Sequence, residues 1–152
     1  MLDKKYNAKE KEAKWLNYWQ ENKIYEFKPD KREIYSIDTP PPTVSGSIHI
    51  GHIFSYSQTE MIARYKRLRG YNIFYPFGFD DNGLPSERLV EKEQGKKAHE
   101  IGRDEFSKLC YQTTDKYEKE FQDLFSKMGV STDWDIHYKT VSPSTIKISQ
   151  AS

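Results

Sequence analysis

The sequence predicts an α/β domain built on a parallel sheet with helices and preceded by one N-terminal helix. Three observations carry that prediction. A short β-branched and aromatic stretch, Ile34 to Asp38, runs into a turn rich in proline and glycine. A helical apolar pattern follows from about Ile48 to Leu68, and a second strand-like run, Asn72 to Tyr75, comes next. Strand, tight turn, helix and strand make a βαβ unit, whose two strands run parallel.

The elements follow in order. Asn7 to Asn22 reads as an amphipathic helix, with Ala8, Glu12, Trp15 and Trp19 on one line and Leu16 beside it. Lys28 to Glu33 is a polar connection, so residues 1–33 form an N-terminal helical extension and residues 34–152 the main domain. In the second helix Phe54, Met61 and Leu68 recur every seven residues, Ile62 and Tyr65 widen the stripe, and Gly70 stops it. The strand at Asn72 breaks at Pro76 and Gly78. Leu84 to Gly95 is a short helix opening with Pro85. Asp104 to Met128 is a long one, its core face carrying Phe106, Leu109, Cys110, Thr113, Tyr117, Phe121, Leu124, Phe125 and Met128. Ser131 to Asp135 turns, and Ile136 to Ser152 reads as extended, an element just starting, so the domain is expected to be cut rather than finished.

Composition narrows the function classes. With 24 basic and 23 acidic residues the net charge is +1, so no global charge footprint marks a nucleic-acid or membrane binder. Arg64, Lys66, Arg67 and Arg69 are bunched, which reads as a solvated helix face. Cys110 is the only cysteine, excluding an internal disulfide and a cysteine-based zinc site. No apolar run approaches the ~20 residues of a membrane span, and the first residues lack a signal-peptide core. A soluble cytoplasmic protein is expected.

The chemistry concentrates in TPPPTVSGSIHIGH, Thr39 to His52. The turn lies at the carboxyl end of a parallel strand, where open α/β sheets bind ligands. Three prolines fix φ and remove backbone donors, which should hold the chain extended with carbonyls toward the site. Gly46 and Gly51 would let a ligand approach the backbone. A helix starting near Ile48 would offer free N–H groups and a positive dipole end to a phosphate, with His49 and His52 on one face beside it. Imidazole suits a phosphate gaining charge, because it donates while neutral and can take a proton near a pKa of roughly 6.5. Three other readings stand beside this one. A P-loop needs a lysine and a hydroxyl where His52 and Ile53 follow Gly51. A histidine metal pair needs a third ligand that the local sequence does not supply. Two histidines at a plain helix end would leave the prolines and glycines without a purpose.

Two blocks then carry a resemblance. PPPTVSGSIHIGH is similar to the HIGH signature of the class I aminoacyl-tRNA synthetases, in the setting of the subclass that activates valine, isoleucine and leucine. YKRLRGYNIFYPFGFDDNGLPSERLVEK, Tyr65 to Lys92, matches the segment after the signature helix in that subclass. Together the blocks most resemble the valyl-tRNA synthetases, in the form found in archaea and some intracellular bacteria. Isoleucine and leucine enzymes usually carry tryptophan where Phe79 stands and other residues at Asp81 and Asn82. The resemblance runs from Tyr6 to Ala151 and implies the first half of a Rossmann-like catalytic domain. It implies that His49, Gly51 and His52 hold the ATP phosphates, with His49 and His52 catalytic, and that Thr43 and Gly46 line the adenylate pocket. It implies that the Pro42 carbonyl and the Asp80 carboxylate grip the α-ammonium of the amino acid. Thr43 and Ser45 depart from the Asn and Thr of many valine enzymes.

The implied substrates are valine and ATP, with Mg2+ accompanying the nucleotide, and tRNA(Val) is bound through regions absent from these 152 residues. The family's KMSKS-like lysine loop, editing domain and anticodon-binding domain do not occur here, so the chain alone is expected to be inactive. Two alternatives come from other classes: a non-catalytic remnant that binds a complementary C-terminal half, and a small nucleotidyltransferase using H-x-G-H. An isoleucyl- or leucyl-type fragment is a third.

Overall fold

The computed structural model describes residues 6–152; the first five residues of the expected N-terminal extension lie outside the described part. The βαβ unit is present. Strand β1 (Ile34–Ser36) leads through the proline turn into α2 (Ile50–Leu68), after the leading helix α1 (Ala8–Glu21). Strand β2 (Asn72–Phe74) returns parallel to β1, with Ile34 opposite Asn72 and Ser36 opposite Phe74. Amides of Asn72 and Ile37 extend the ladder at either end, at 2.9 Å to the carbonyls of Glu33 and Phe74.

Pro76 interrupts the following run without ending it. It carries no N–H, so pairing with β1 stops there. The chain resumes as β3 (Phe77–Phe79), which pairs parallel with β4 (His137–Lys139), Phe77 opposite His137. The expected break at Gly78 is therefore a strand residue. Glycine is required because the Tyr138 ring lies across it and would collide with a Cβ. Three helices connect β3 to β4: α3 (Leu84–Gln94), the single turn α4 (Ala98–Ile101) and α5 (Arg103–Lys127). The short α4 is not anticipated by the sequence pattern.

The last segment is the clearest departure. Pro143 to Ala151 is a helix, α6, where an extended chain is expected. Ser142 caps it: its Oγ accepts the Thr145 N–H at 3.2 Å, and Thr145 Oγ1 accepts the Ser142 N–H at 2.7 Å. Pro143 sits at the first helical position, where its missing N–H costs nothing. The β-branched Thr145, Ile146 and Ile148 point toward strand by propensity alone, and the cap outweighs them.

The core sits between the strands and α5. Val44, Tyr56, Ala63, Tyr75, Phe77, Phe79, Phe121 and Phe125 form one buried cluster. Phe125 lies with its ring 4.7 Å from Tyr56 and 5.2 Å from Phe77. Every member of the stripe expected on α5 is buried or half-buried. The stripe expected on α2 behaves differently. Phe54, Met61 and Leu68 are exposed, Leu68 at 88 %, and the face turned inward carries Tyr56, Glu60 and Ala63.

The basic bunch is also tied down rather than solvated. Arg64 pairs with Glu60 at 2.6 Å, and Arg67 donates to Ser131 Oγ and carbonyl at 2.7 and 3.1 Å. Lys66 lies over the rings of Tyr35 and Tyr71, at 4.4 and 4.7 Å. Glu60 also accepts the Ser131 N–H at 2.8 Å, so these side chains lash α2 to the segment after α5. Only Arg69 of the four is exposed.

Candidate functional site

The proline turn is held by its carbonyls. Pro40 O accepts the Tyr56 hydroxyl at 2.6 Å, and Pro42 O accepts the Asp80 N–H at 3.0 Å. Val44 N–H donates to Asp80 O at 2.7 Å, completing a parallel bridge between Thr43 and Asp80. Expected site carbonyls are thus partly engaged by the protein itself. A carbonyl has two lone pairs, so Pro42 O keeps one for a ligand. Burial pushes the Tyr56 hydroxyl up to about 12, so it stays a neutral donor to the loop.

This bridge places Pro42, Thr43 and Asp80 at one point. The Asp80 carboxylate is half-buried and held from two sides: Oδ2 accepts the Thr43 hydroxyl at 3.1 Å and Oδ1 accepts the Thr140 hydroxyl at 3.1 Å. Asp81 beside it is buried; its Oδ1 accepts the Thr140 hydroxyl and the Val141 N–H, both at 2.9 Å. Thr140 is a site residue that the sequence does not reveal, because it stands in a stretch with no motif.

The histidines come together by a different geometry from the one expected. Helix α2 begins at Ile50, and His49 is its N-cap, with φ −115° and ψ 168°. Its Nδ1 accepts the Gly51 N–H at 3.1 Å. In the neutral ring the proton then sits on Nε2. A Cβ at Gly51 would stand 3.0 Å from that imidazole, so glycine serves the folded-back His49 ring. The rings of His49 and His52 stack, 4.0 Å between centroids. The amides of His52 and Ile53 go to His49 O at 3.0 and 3.3 Å. Fewer first-turn amides are free than the sequence suggests, and the imidazoles are the main donors at this helix end.

His52 is half-buried near Phe121, with ring centroids 6.4 Å apart. Its Nδ1 is buried and has no hydrogen-bond partner among the described residues. Burial first, and the neighbouring His49 second, hold its pKa below the ordinary histidine value. Both effects favour its neutral form. A cleft of about 290 Å³ joins His52 to Thr39, the three prolines, Thr43, Ser55, Tyr56 and Thr59. Pro42, Thr43 and His52 share this cleft, and the Thr43 bridge ties Asp80 to its edge.

Gly46 does not share it. With φ at +133° it takes a backbone that favours glycine, and it faces a separate cavity beside α3, lined by Ser45, Arg88 and Lys92. Among the described residues no three His, Cys, Asp or Glu side chains converge as a metal site, and no helix is long and apolar enough to cross a membrane.

The valine–tRNA ligase of Rickettsia prowazekii is 55% identical over 151 residues, covering 98% of this chain and 19% of its own length. That of Rickettsia akari is 53% identical over the same share. The chain therefore spans about a fifth of the length of the curated relatives it matches. A solved structure of the Agrobacterium radiobacter K84 LeuRS, in a ternary complex with tRNA and LeuAMS, superposes with a TM-score of 0.77 at 25% identity. That match covers 97% of this chain and 18% of the LeuRS chain, consistent with a partial Rossmann-like α/β domain. The family model of the class I tRNA synthetases (I, L, M and V) matches residues 14–151, nearly the whole chain, and the chain therefore belongs to this family.

Proposed function

We propose that this chain supplies the amino-acid grip and part of the phosphate site of a valine–tRNA ligase. The observation that carries the reading is the Thr43–Asp80 bridge. It sets the Pro42 carbonyl and the Asp80 carboxylate side by side at the edge of the cleft that His52 lines. A primary ammonium would take the carboxylate and the free lone pair of Pro42 O, a charge-assisted arrangement. The curated relatives are valine–tRNA ligases, which supports valine as the amino acid.

In the proposed reaction the valine carboxylate oxygen attacks the α-phosphorus of ATP. The bond from that phosphorus to the bridging oxygen breaks, and pyrophosphate leaves with the electron pair. His49 and His52 donate hydrogen bonds to phosphate oxygens as charge grows on them, with Gly51 allowing the His49 ring to fold over the helix end. Thr43 lies on the adenylate side in this reading, with Gly46 in the neighbouring cavity beside α3. Mg2+ would accompany the nucleotide in this reading. Transfer to tRNA(Val) and editing belong to regions outside these 152 residues, and a cytoplasmic location fits this role.

These residues hold no KMSKS-like lysine loop. Losing one donor at a developing charge typically costs ~10²–10³ in rate, so the chain alone should turn over poorly. The test is valine-dependent ATP–pyrophosphate exchange, beside isoleucine, leucine and threonine, by the chain alone and with the remaining polypeptide of a valine enzyme added. Exchange that appears on addition and prefers valine supports the reading; a preference for another amino acid overturns it.

A second reading, association with a complementary half, is favoured by one observation. Ile50, Phe54, Met61, Tyr65 and Leu68 line the outer side of α2 and are all exposed. A stripe of that kind favours burial against another surface. A chain that stays monomeric at all concentrations, and does not respond to the added polypeptide, would contradict this reading.

A further inference from the structure

We propose that Thr140 is a positioning residue that sets the Asp80 carboxylate for a ligand's primary ammonium. The inference rests on the reading of Asp80 given above. Thr140 lies one residue beyond β4, and its N–H donates to Phe79 O at 3.0 Å, continuing the β3–β4 ladder. The ladder therefore fixes where its side chain stands.

The hydroxyl has one proton and two lone pairs. It accepts the Asp81 N–H at 3.1 Å, which orients the oxygen. Its proton faces two carboxylate oxygens, Asp80 Oδ1 at 3.1 Å and Asp81 Oδ1 at 2.9 Å. Asp81 Oδ1 also receives the Val141 N–H at 2.9 Å, so Asp81 keeps a donor of its own when the shared hydroxyl proton turns to Asp80. Thr43 serves the other Asp80 oxygen at 3.1 Å. One hydroxyl on each oxygen fixes the plane of the carboxylate and leaves each oxygen a further lone pair.

Those two lone pairs and the remaining one on Pro42 O give three acceptors for the three N–H bonds of a primary ammonium. The charge balance points the same way. Two neighbouring carboxylates share one hydroxyl, and neither makes an ion pair among the described residues. The nearby Lys139 is committed elsewhere, to Asp115 and Glu118 at 2.6 Å each. A carboxylate held by hydroxyls rather than by a lysine keeps its charge for an incoming cation.

The experiment titrates the 152-residue chain with valine, valinol, isovaleric acid and ATP, following amide NMR shifts. Valinol keeps the ammonium and lacks the carboxylate, and isovaleric acid is the reverse. Thr140→Val should weaken valine and valinol about tenfold, the scale of one hydrogen bond to a charged group. Isovaleric acid and ATP should respond as in the wild type, and Thr140→Ser should restore the ammonium ligands. A Thr140→Val chain that binds valine as tightly as wild type overturns the proposal and leaves the Asp80 reading intact. Equal weakening of ATP, with a lowered melting temperature, also overturns it, since the residue then only holds the seam. A folded wild type that ignores valine and valinol sinks both. If Thr140→Val does not fold, the wild type decides: saturating valinol must shift the Thr140 and Val141 amides together with Asp80, and no shift there contradicts the proposal.

Discussion

The two ends of the cleft are built differently. At the Asp80 end three segments far apart in sequence meet: the proline turn, the start of the loop after β3 and the residue after β4. Each carboxylate oxygen of Asp80 has a hydroxyl partner there. At the histidine end the geometry is local. His49 is an exposed cap, its ring stacks on its neighbour three residues on, and the buried His52 Nδ1 has no partner among the described residues. The difference is one of preorganisation. A site assembled from distant strands is fixed by the fold, whereas a site on the first turn of one helix needs further contacts to fix it.

The largest effect should fall at the preorganised end. Asp80→Asn keeps the shape and removes the charge, and should weaken valine about a hundredfold, about 2.8 kcal/mol, with ATP unaffected. Calorimetric titration of both ligands checks it, and equal losses for both would erase the distinction between the ends. Tyr56→Phe comes next. It leaves the Pro40 carbonyl without its hydroxyl donor and should cost about 1–1.5 kcal/mol of stability in a denaturant melt. An unchanged midpoint would mean that the turn is stapled by its Asp80 bridge alone.

At the histidine end the expected effects are smaller. His49→Ala removes a helix cap, worth about 1 kcal/mol, and should weaken ATP while leaving valine alone. A loss of valine binding would join the two ends into one unit. The smallest effect is a pH dependence. The folded pKa of His52 is lowered, so the folded chain binds fewer protons at this ring than the unfolded chain does. That group's contribution to stability is intact above the unfolded value of about 6.5 and is lost as pH falls through the lowered folded value. His52→Gln should flatten the acid side of a stability–pH curve, and an unchanged curve would assign the acid loss to other groups.

Local patterns carry the fold in the sequence, and long-range pairing does not show. The βαβ unit and α5 follow from periodicity and turn residues, because the burying surface of each lies on the element itself. The apolar repeat on α2 marks a helix correctly but misleads about its inner face, since Tyr56, Glu60 and Ala63 face the core through contacts with α5 and the strands. β3 hides behind Pro76, whose partner strand is about sixty residues away. The histidines stand out through the proline–glycine turn and the helix start around them, whereas Asp80 is legible only because its motif resembles that of a known family. The N-cap role of His49 and the hydroxyl of Thr140 depend on backbone placement that no spacing rule encodes.

The most direct test of the account is a valine titration of the folded 152-residue chain, with pyrophosphate exchange measured on the same sample. The expected result is saturable binding that perturbs the Asp80 and Thr43 amides, without exchange above background. A folded chain whose spectrum ignores valine, or one that exchanges pyrophosphate at rates typical of an enzyme, would contradict it.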